Sequence, residues 1–150
     1  MKTIKLLILQ GAPASGKSTF ALKLAKENPT TWIRVCRDDI REMCGKYWVP
    51  NREKLITKLE MHSVELALQS EYNVVVDATN LNKSTINSWY DLLGNIKTPN
   101  KNLNIELEFK KFETPLWKCV YRDIKRGLLG KKRVGFKVIK YFHKRYYDKT

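Results

Sequence analysis

Three observations predict an α/β fold built on a mostly parallel sheet of about four to five strands, with helices on both faces. Strand-like and helix-like segments alternate along the 150 residues. A Gly/Pro/Ser turn separates the first strand from the first helix. Val74, Val75 and Val76 form the unbroken apolar run expected of a strand covered on both sides.

The elements follow in order. Residues 2–9 are rich in Ile and Leu and read as the first strand. Residues 17–27 read as a helix with Phe20, Ala21, Leu24 and Ala25 on one face, stopped before Pro29. A second strand covers 31–36. Asp38 then stands where a helix N-cap belongs, and Asp39 falls in the first turn, where a carboxylate meets the positive end of the helix dipole. Beyond Gly45 and Pro50, residues 52–71 suit a longer helix with Leu55, Leu59 and Leu66 on one side, the side expected to pack. After the valine strand, Asn82 or Ser84 caps a helix reaching Gly94. Residues 103–112 alternate apolar and polar, which marks a more exposed strand. Pro115 opens a helix to about Arg126. A Gly-flanked basic loop, about 127–135, is the candidate lid. The last helix spans 136–147, with Val138, Ile139, Phe142 and Tyr146 inward and Lys137, Lys140 and Lys144 outward.

The length fits one domain over 1–150, and a chain of this size buries roughly 70% of its unfolded surface without staples. Neither repeat nor Gly/Ser linker interrupts it. No apolar run approaches the ~20 residues of a membrane helix, and residues 6–9 are too short for a signal core. Cys36, Cys44 and Cys119 form no CxxC pair, and His62 and His143 lack a second ligand, so a reduced, cytoplasmic chain without zinc or membrane attachment is expected. Lys and Arg number 29 against 15 Asp and Glu, a net charge of +14. The excess is uneven: residues 118–150 hold 12 basic and 2 acidic residues. Such a segment attracts polyanions, although a solvated face explains it equally well.

The sharpest local signal is Gly11-Ala12-Pro13-Ala14-Ser15-Gly16-Lys17-Ser18-Thr19, which fills the pattern GxxxxGK[ST] between a strand and a helix. Small residues there let backbone N–H groups wrap phosphates, and the helix N-terminus adds partial positive charge. Lys17 is the residue to reach the β- and γ-phosphates, and Ser18 the hydroxyl to meet Mg²⁺. ATP or another nucleoside triphosphate is the implied ligand. A second cluster, Arg37-Asp38-Asp39-Ile40-Arg41, follows the second strand, whose carboxyl end opens onto the same crevice. Spaced by three, Asp38 and Arg41 project the same way from a helix start. The carboxylate suits proton abstraction from an acceptor hydroxyl and the arginine suits an acceptor phosphate. An N-capping Asp beside a surface Arg explains the pair equally.

Taken in order, GAPASGKST, RDDIR, DATNLN and KRG before a basic helix resemble the 5′-hydroxyl polynucleotide kinase family of phage T4 type, over almost the whole chain. The resemblance implies a P-loop kinase fold and transfer of the ATP γ-phosphate to a 5′-OH end of DNA or RNA. It implies that Lys17 and Ser18 serve the phosphates and metal, Asp38 the proton, and Arg41 the acceptor's neighbouring phosphate. Arg126, with Arg122 one turn earlier, would be a lid arginine on ATP. Two departures stand out. The family's aspartate directly precedes TNLN, whereas here Ala78 holds that place and Asp77, the candidate for the metal shell, comes one earlier. The phage enzymes also carry a 3′-phosphatase, but no DxDx[TS] motif occurs here, so that activity is not expected.

Among the aromatics, Trp48 in Tyr47-Trp48-Val49-Pro50 is placed to stack on a base, while those of the last helix suit core packing. Lys131-Lys132-Arg133 suits either strand phosphates or ATP. A P-loop kinase for another hydroxyl (a modified base, a charged tRNA, a small metabolite) is the alternative. A nucleic-acid-binding NTPase switch is a third, although it leaves Asp38 without a task. Self-association is compatible with all three.

Overall fold

The computed structural model describes residues 1–147. Four strands, β1 (Lys2–Gly11), β2 (Trp32–Cys36), β3 (Asn73–Asp77) and β4 (Leu103–Phe112), form one sheet in the order β2-β3-β1-β4. Every pairing is parallel. The helices are α1 (Lys17–Glu27), α2 (Arg37–Met43), α3 (Glu53–Gln69), α4 (Lys83–Asn95), α5 (Leu116–Leu128) and α6 (Phe136–Tyr146). A single 3₁₀ turn, Pro50–Arg52, precedes α3. The predicted α/β fold is the observed one.

Strand alternation sends Ile4, Leu6 and Ile8 of β1 into a core shared with Val64, Ala67 and Leu68 of α3 and Trp89 of α4. Leu7 and Leu9 face the other side, against Ala21, Phe20 and Leu24 of α1. The valines of β3 divide in the same way and are wholly buried. At ~1.5–3 kcal/mol per fully buried aliphatic side chain, these two strands make the sheet centre the fixed reference of the molecule.

Three local expectations need correction. Asp38 is not an N-cap: Cys36 holds that place and α2 begins at Arg37, which puts Asp38 and Asp39 both in the first turn. The buried side of α3 is Ile56, Glu60, Val64, Ala67 and Leu68, whereas Leu55 and Leu66 are exposed. Arg37 reaches Glu60 at 3.2 Å and lets a carboxylate take a core position that its charge argues against. On α6, Ile139 and His143 are buried while Val138 is exposed. Smaller shifts follow the same logic, with Pro115 sitting at the N-cap of α5 and Asn82, not Ser84, capping α4 through Ser84 N–H at 2.8 Å.

The carboxyl ends of the strands line up along one edge, with Cys36 beside Asp77 and Gly11 beside Phe112. Asn80 locks this edge. Its backbone is left-handed (φ 47°), its amide donates to Leu9 O at 2.8 Å, and its Oδ1 accepts from the buried indole of Trp89 at 3.1 Å. Gly11 N–H closes the clamp on Thr79 O at 3.0 Å. Much of DATNLN therefore fixes where the phosphate loop begins.

Candidate active site

The loop from Gly11 to Thr19 joins β1 to α1 in a conformation its sequence allows and few others would. Gly16 lies at φ +106°, and a Cβ on Gly11 would stand 2.6 Å from Ser15 Oγ. Gly11, Ala12, Ser15 and Lys17 are buried, Pro13, Ala14 and Gly16 half-buried, and Ser18 and Thr19 exposed at the helix start. Lys17 donates its ammonium protons to Gly11 O and Ala12 O, both at 2.8 Å, and to Ser15 Oγ at 3.4 Å. Burial pulls its pKa down to about 8, against the opposing pull of the Asp77 and Asp38 carboxylates. Both aspartates therefore share one electrostatic neighbourhood with the loop lysine.

Helix α5 crosses the loop from the other side. The Arg122 guanidinium ends 3.2 Å from where a Cβ on Gly16 would lie, and Arg126 is close enough to lower the Lys17 pKa further. Two residues that sequence reasoning missed brace the loop. Thr114 Oγ1 donates to Ser15 O at 2.7 Å. The Tyr147 hydroxyl accepts from Ala12 N–H at 3.1 Å and donates to Phe112 O at 2.9 Å. No signal in the chain foretold Tyr147, since 135 residues separate it from Ala12.

Across the crevice, α2 presents Asp38 and Arg41, joined at 2.8 Å as their spacing predicted. Arg41 is far from free. Its Nε and Nη2 bind both oxygens of Glu53 at 3.1 and 2.6 Å, and this side-on fork holds Glu53 below the usual carboxylate range. Arg37 also reaches Glu53, at 3.3 Å, and on to Glu60, where burial outweighs the arginine and raises the acid's pKa. One N–H on each terminal nitrogen of Arg41 is left for a further acceptor. The rings of Tyr47 and Trp48 lie 5.4 and 5.8 Å from its guanidinium carbon, with Trp48 about half exposed.

Asp77 ends β3 deeply buried, and its Oδ2 accepts from Arg34 Nε and Nη2 at 3.0 and 2.8 Å. Arg34 also reaches Asp39 at 2.7 Å. Adjacent aspartates on α2 thus have different partners: Asp38 meets Arg41 and Tyr47, and Asp39 meets Arg34. The basic triplet divides too, since Arg133 binds the buried Asp123 at 3.1 Å while Lys132 lies against the Tyr47 ring.

The AAA domain family model matches residues 6–148. A chain of the Pnkp1/Rnl/Hen1 RNA repair complex is similar over 99% of this chain at 31% identity and a TM-score of 0.78. In a second structure of that complex the values are 81%, 35% and 0.69. The present chain spans only 47% and 40% of those chains. The APS kinase CysC of Mycobacterium tuberculosis, solved with AMPPNP and APS, shares the fold at 16% identity over 86% of this chain and 73% of that one, with a TM-score of 0.65. The sheet, the phosphate loop and these likenesses make this a P-loop kinase-like fold with a nucleotide site.

Proposed function

Because the chain belongs to the AAA domain family and carries a phosphate loop at residues 11–19, we propose that it is an ATP-dependent kinase that phosphorylates the 5′-hydroxyl end of DNA or RNA during end repair. The observation that carries this reading is the Asp38–Arg41 pair, 2.8 Å apart, whose Asp38 charge bears on Lys17. Only an acceptor that offers a hydroxyl and a nearby anion uses both partners. The likeness to chains of an RNA repair complex supports a nucleic-acid acceptor, as does the net charge of +14.

In this mechanism the backbone N–H groups of Ala14 and of Gly16 to Thr19, at the α1 terminus, bind the ATP phosphates. Lys17 exchanges its loop carbonyls for the β- and γ-phosphate oxygens. Arg126, with Arg122, neutralises charge on the transferring phosphoryl group from the α5 side. Asp38 takes the proton of the 5′-hydroxyl as it attacks in line, and Arg41 grips the next phosphate of the acceptor. The exposed Ser18 hydroxyl and the second oxygen of the Asp77 carboxylate, whose Oδ2 Arg34 already holds, are the hard donors that would hold Mg²⁺. Bound there, Mg²⁺ would supply charge neutralisation on the phosphates.

A kinase for a small hydroxyl compound is the second reading, because the fold is shared with the APS kinase. The deciding experiment offers γ-labelled ATP with 5′-OH RNA, 5′-OH DNA, nucleosides and water in parallel. Label on an oligonucleotide end, absent from a 5′-phosphorylated control, is expected. Transfer confined to small acceptors or water would overturn the reading.

A further inference from the structure

We propose that Tyr47 is the positioning residue of the acceptor site: its hydroxyl and Arg41 together occupy Oδ1 of Asp38 and leave Oδ2 as the oxygen that meets the acceptor hydroxyl. The inference rests on the reading of Asp38 as proton acceptor. Tyr47 Oη donates to Asp38 Oδ1 at 2.8 Å, and Arg41 Nη1 donates to the same oxygen at 2.8 Å. The Asp38 side chain is 58% exposed on a short helix, where a lone carboxylate would exchange rotamers freely. Two donors converging on one oxygen select a single rotamer.

The phenol is itself held in place. Arg52 gathers the carbonyls of the loop that carries it, donating to Cys44 O at 3.1 Å, Tyr47 O at 3.4 Å and Lys46 O. Burial, then the Asp38 charge, pushes the Tyr47 pKa up to about 12, so the hydroxyl remains a donor throughout the neutral range. Both the Arg41 guanidinium and Lys132 of the basic loop lie close to the ring. The charged groups that bear on Asp38 are therefore Arg41 on its own helix, Lys132 of that loop, and Lys17 across the crevice.

Transfer then proceeds in one balanced step. The acceptor O–H proton passes to Oδ2 of Asp38 while the oxygen forms a bond to Pγ. The bond from Pγ to the bridging oxygen breaks, and its electron pair leaves with ADP. Tyr47 loses no proton. Its task is to hold the oxygen that does not react.

The test compares Tyr47→Phe with Asp38→Asn in single-turnover phosphorylation of a 5′-OH oligonucleotide across a range of oligonucleotide and ATP concentrations. Tyr47→Phe keeps the ring that Arg41 and Lys132 pack on, so KM for ATP should stay unchanged. The rate of transfer should fall about tenfold, the typical weight of one hydrogen bond to a charged group. KM for the oligonucleotide should also stay unchanged, because the loss falls on the orientation of the reacting carboxylate and not on binding. A wild-type rate in Tyr47→Phe would overturn the proposal, and so would a rate loss that disappears at saturating oligonucleotide. If Asp38→Asn itself transfers at the wild-type rate, the base assignment falls and takes this proposal with it. A normal Asp38→Asn loss beside an unaffected Tyr47→Phe removes the positioning role alone.

Discussion

The two sides of the crevice are built by different means. On the donor side, Lys17 is held by carbonyls and a hydroxyl supplied within six residues of itself. On the acceptor side, Asp38 and Arg41 are held by side chains nine and 12 residues away, and Arg37 by a glutamate 23 residues on. A backbone cradle is rigid and indifferent to which side chains surround it. A network of charged side chains is adjustable, and losing one member leaves its partners half-buried and unsatisfied. Substitutions on the donor side should therefore act on chemistry with every acceptor. On the other side they should act on choice and placement of the acceptor.

The largest effect should come from Asp38→Asn, with kcat down by roughly 10²–10⁴ as for loss of a general base, and ATP affinity nearly unchanged. Asp39→Asn, which breaks only the exposed contact with Arg34, should cost less than tenfold. Reversal of that ranking in steady-state kinetics would undo the division of the two aspartates.

Lys17→Met should slow transfer to all acceptors alike, by about 10²–10³, through loss of a donor to the transferring phosphate. It should also leave the ligand-free protein more stable. Burial lowers the lysine from 10.5 to about 8, which amounts to at most about 3.5 kcal/mol at ~1.4 kcal/mol per pH unit. The sign is that of a depressed base: the penalty is full below pH 8 and fades as pH rises toward the unfolded pKa. Thermal melts of the two proteins at pH 7 and pH 10 should converge at the higher pH. A variant less stable at both would show that the loop needs the ammonium for its fold.

Glu53→Gln should raise the acceptor KM by about tenfold while sparing KM for ATP, since it unseats Arg41 and Arg37 together. Glu53 has a lowered pKa, so its contribution is full above the ordinary glutamate value of ~4.3 and is lost as pH falls through the folded one. Acid unfolding of the variant should accordingly depend less on pH below ~4. The smallest effect belongs to Lys132→Ala. It should weaken oligonucleotide binding a few-fold, flatten its salt dependence by about 0.7 in logarithmic slope if one strand phosphate is released, and spare ATP. A change confined to KM for ATP would move the triplet to the donor side.

The same contrast decides what the sequence discloses. The phosphate loop is legible because nine adjacent residues specify it, and the strands are legible because each carries its own period or valine run. The pairing of Asp38 with Arg41 follows from a spacing of three. What surrounds that pair is not legible. Glu53, Arg52 and Tyr47 are unremarkable in a basic chain until the turn at Pro50–Arg52 folds them onto α2. Glu60 misled the reading of α3, because a carboxylate on the inward stripe makes the neighbouring leucine stripe look like the core. Its partner Arg37 lies on another element and has no local signature.

The central claim is that the α2 side of the crevice recognises a phosphate next to the reacting hydroxyl. Minimal acceptors test it most directly, through kcat/KM for a nucleoside 3′-phosphate against the bare nucleoside, in wild type and Arg41→Ala. A charge-assisted contact predicts a preference of about tenfold to a hundredfold for the phosphorylated acceptor in wild type, collapsing toward unity in the variant. Equal use of both acceptors by the wild type, or a preference that survives loss of Arg41, would contradict it.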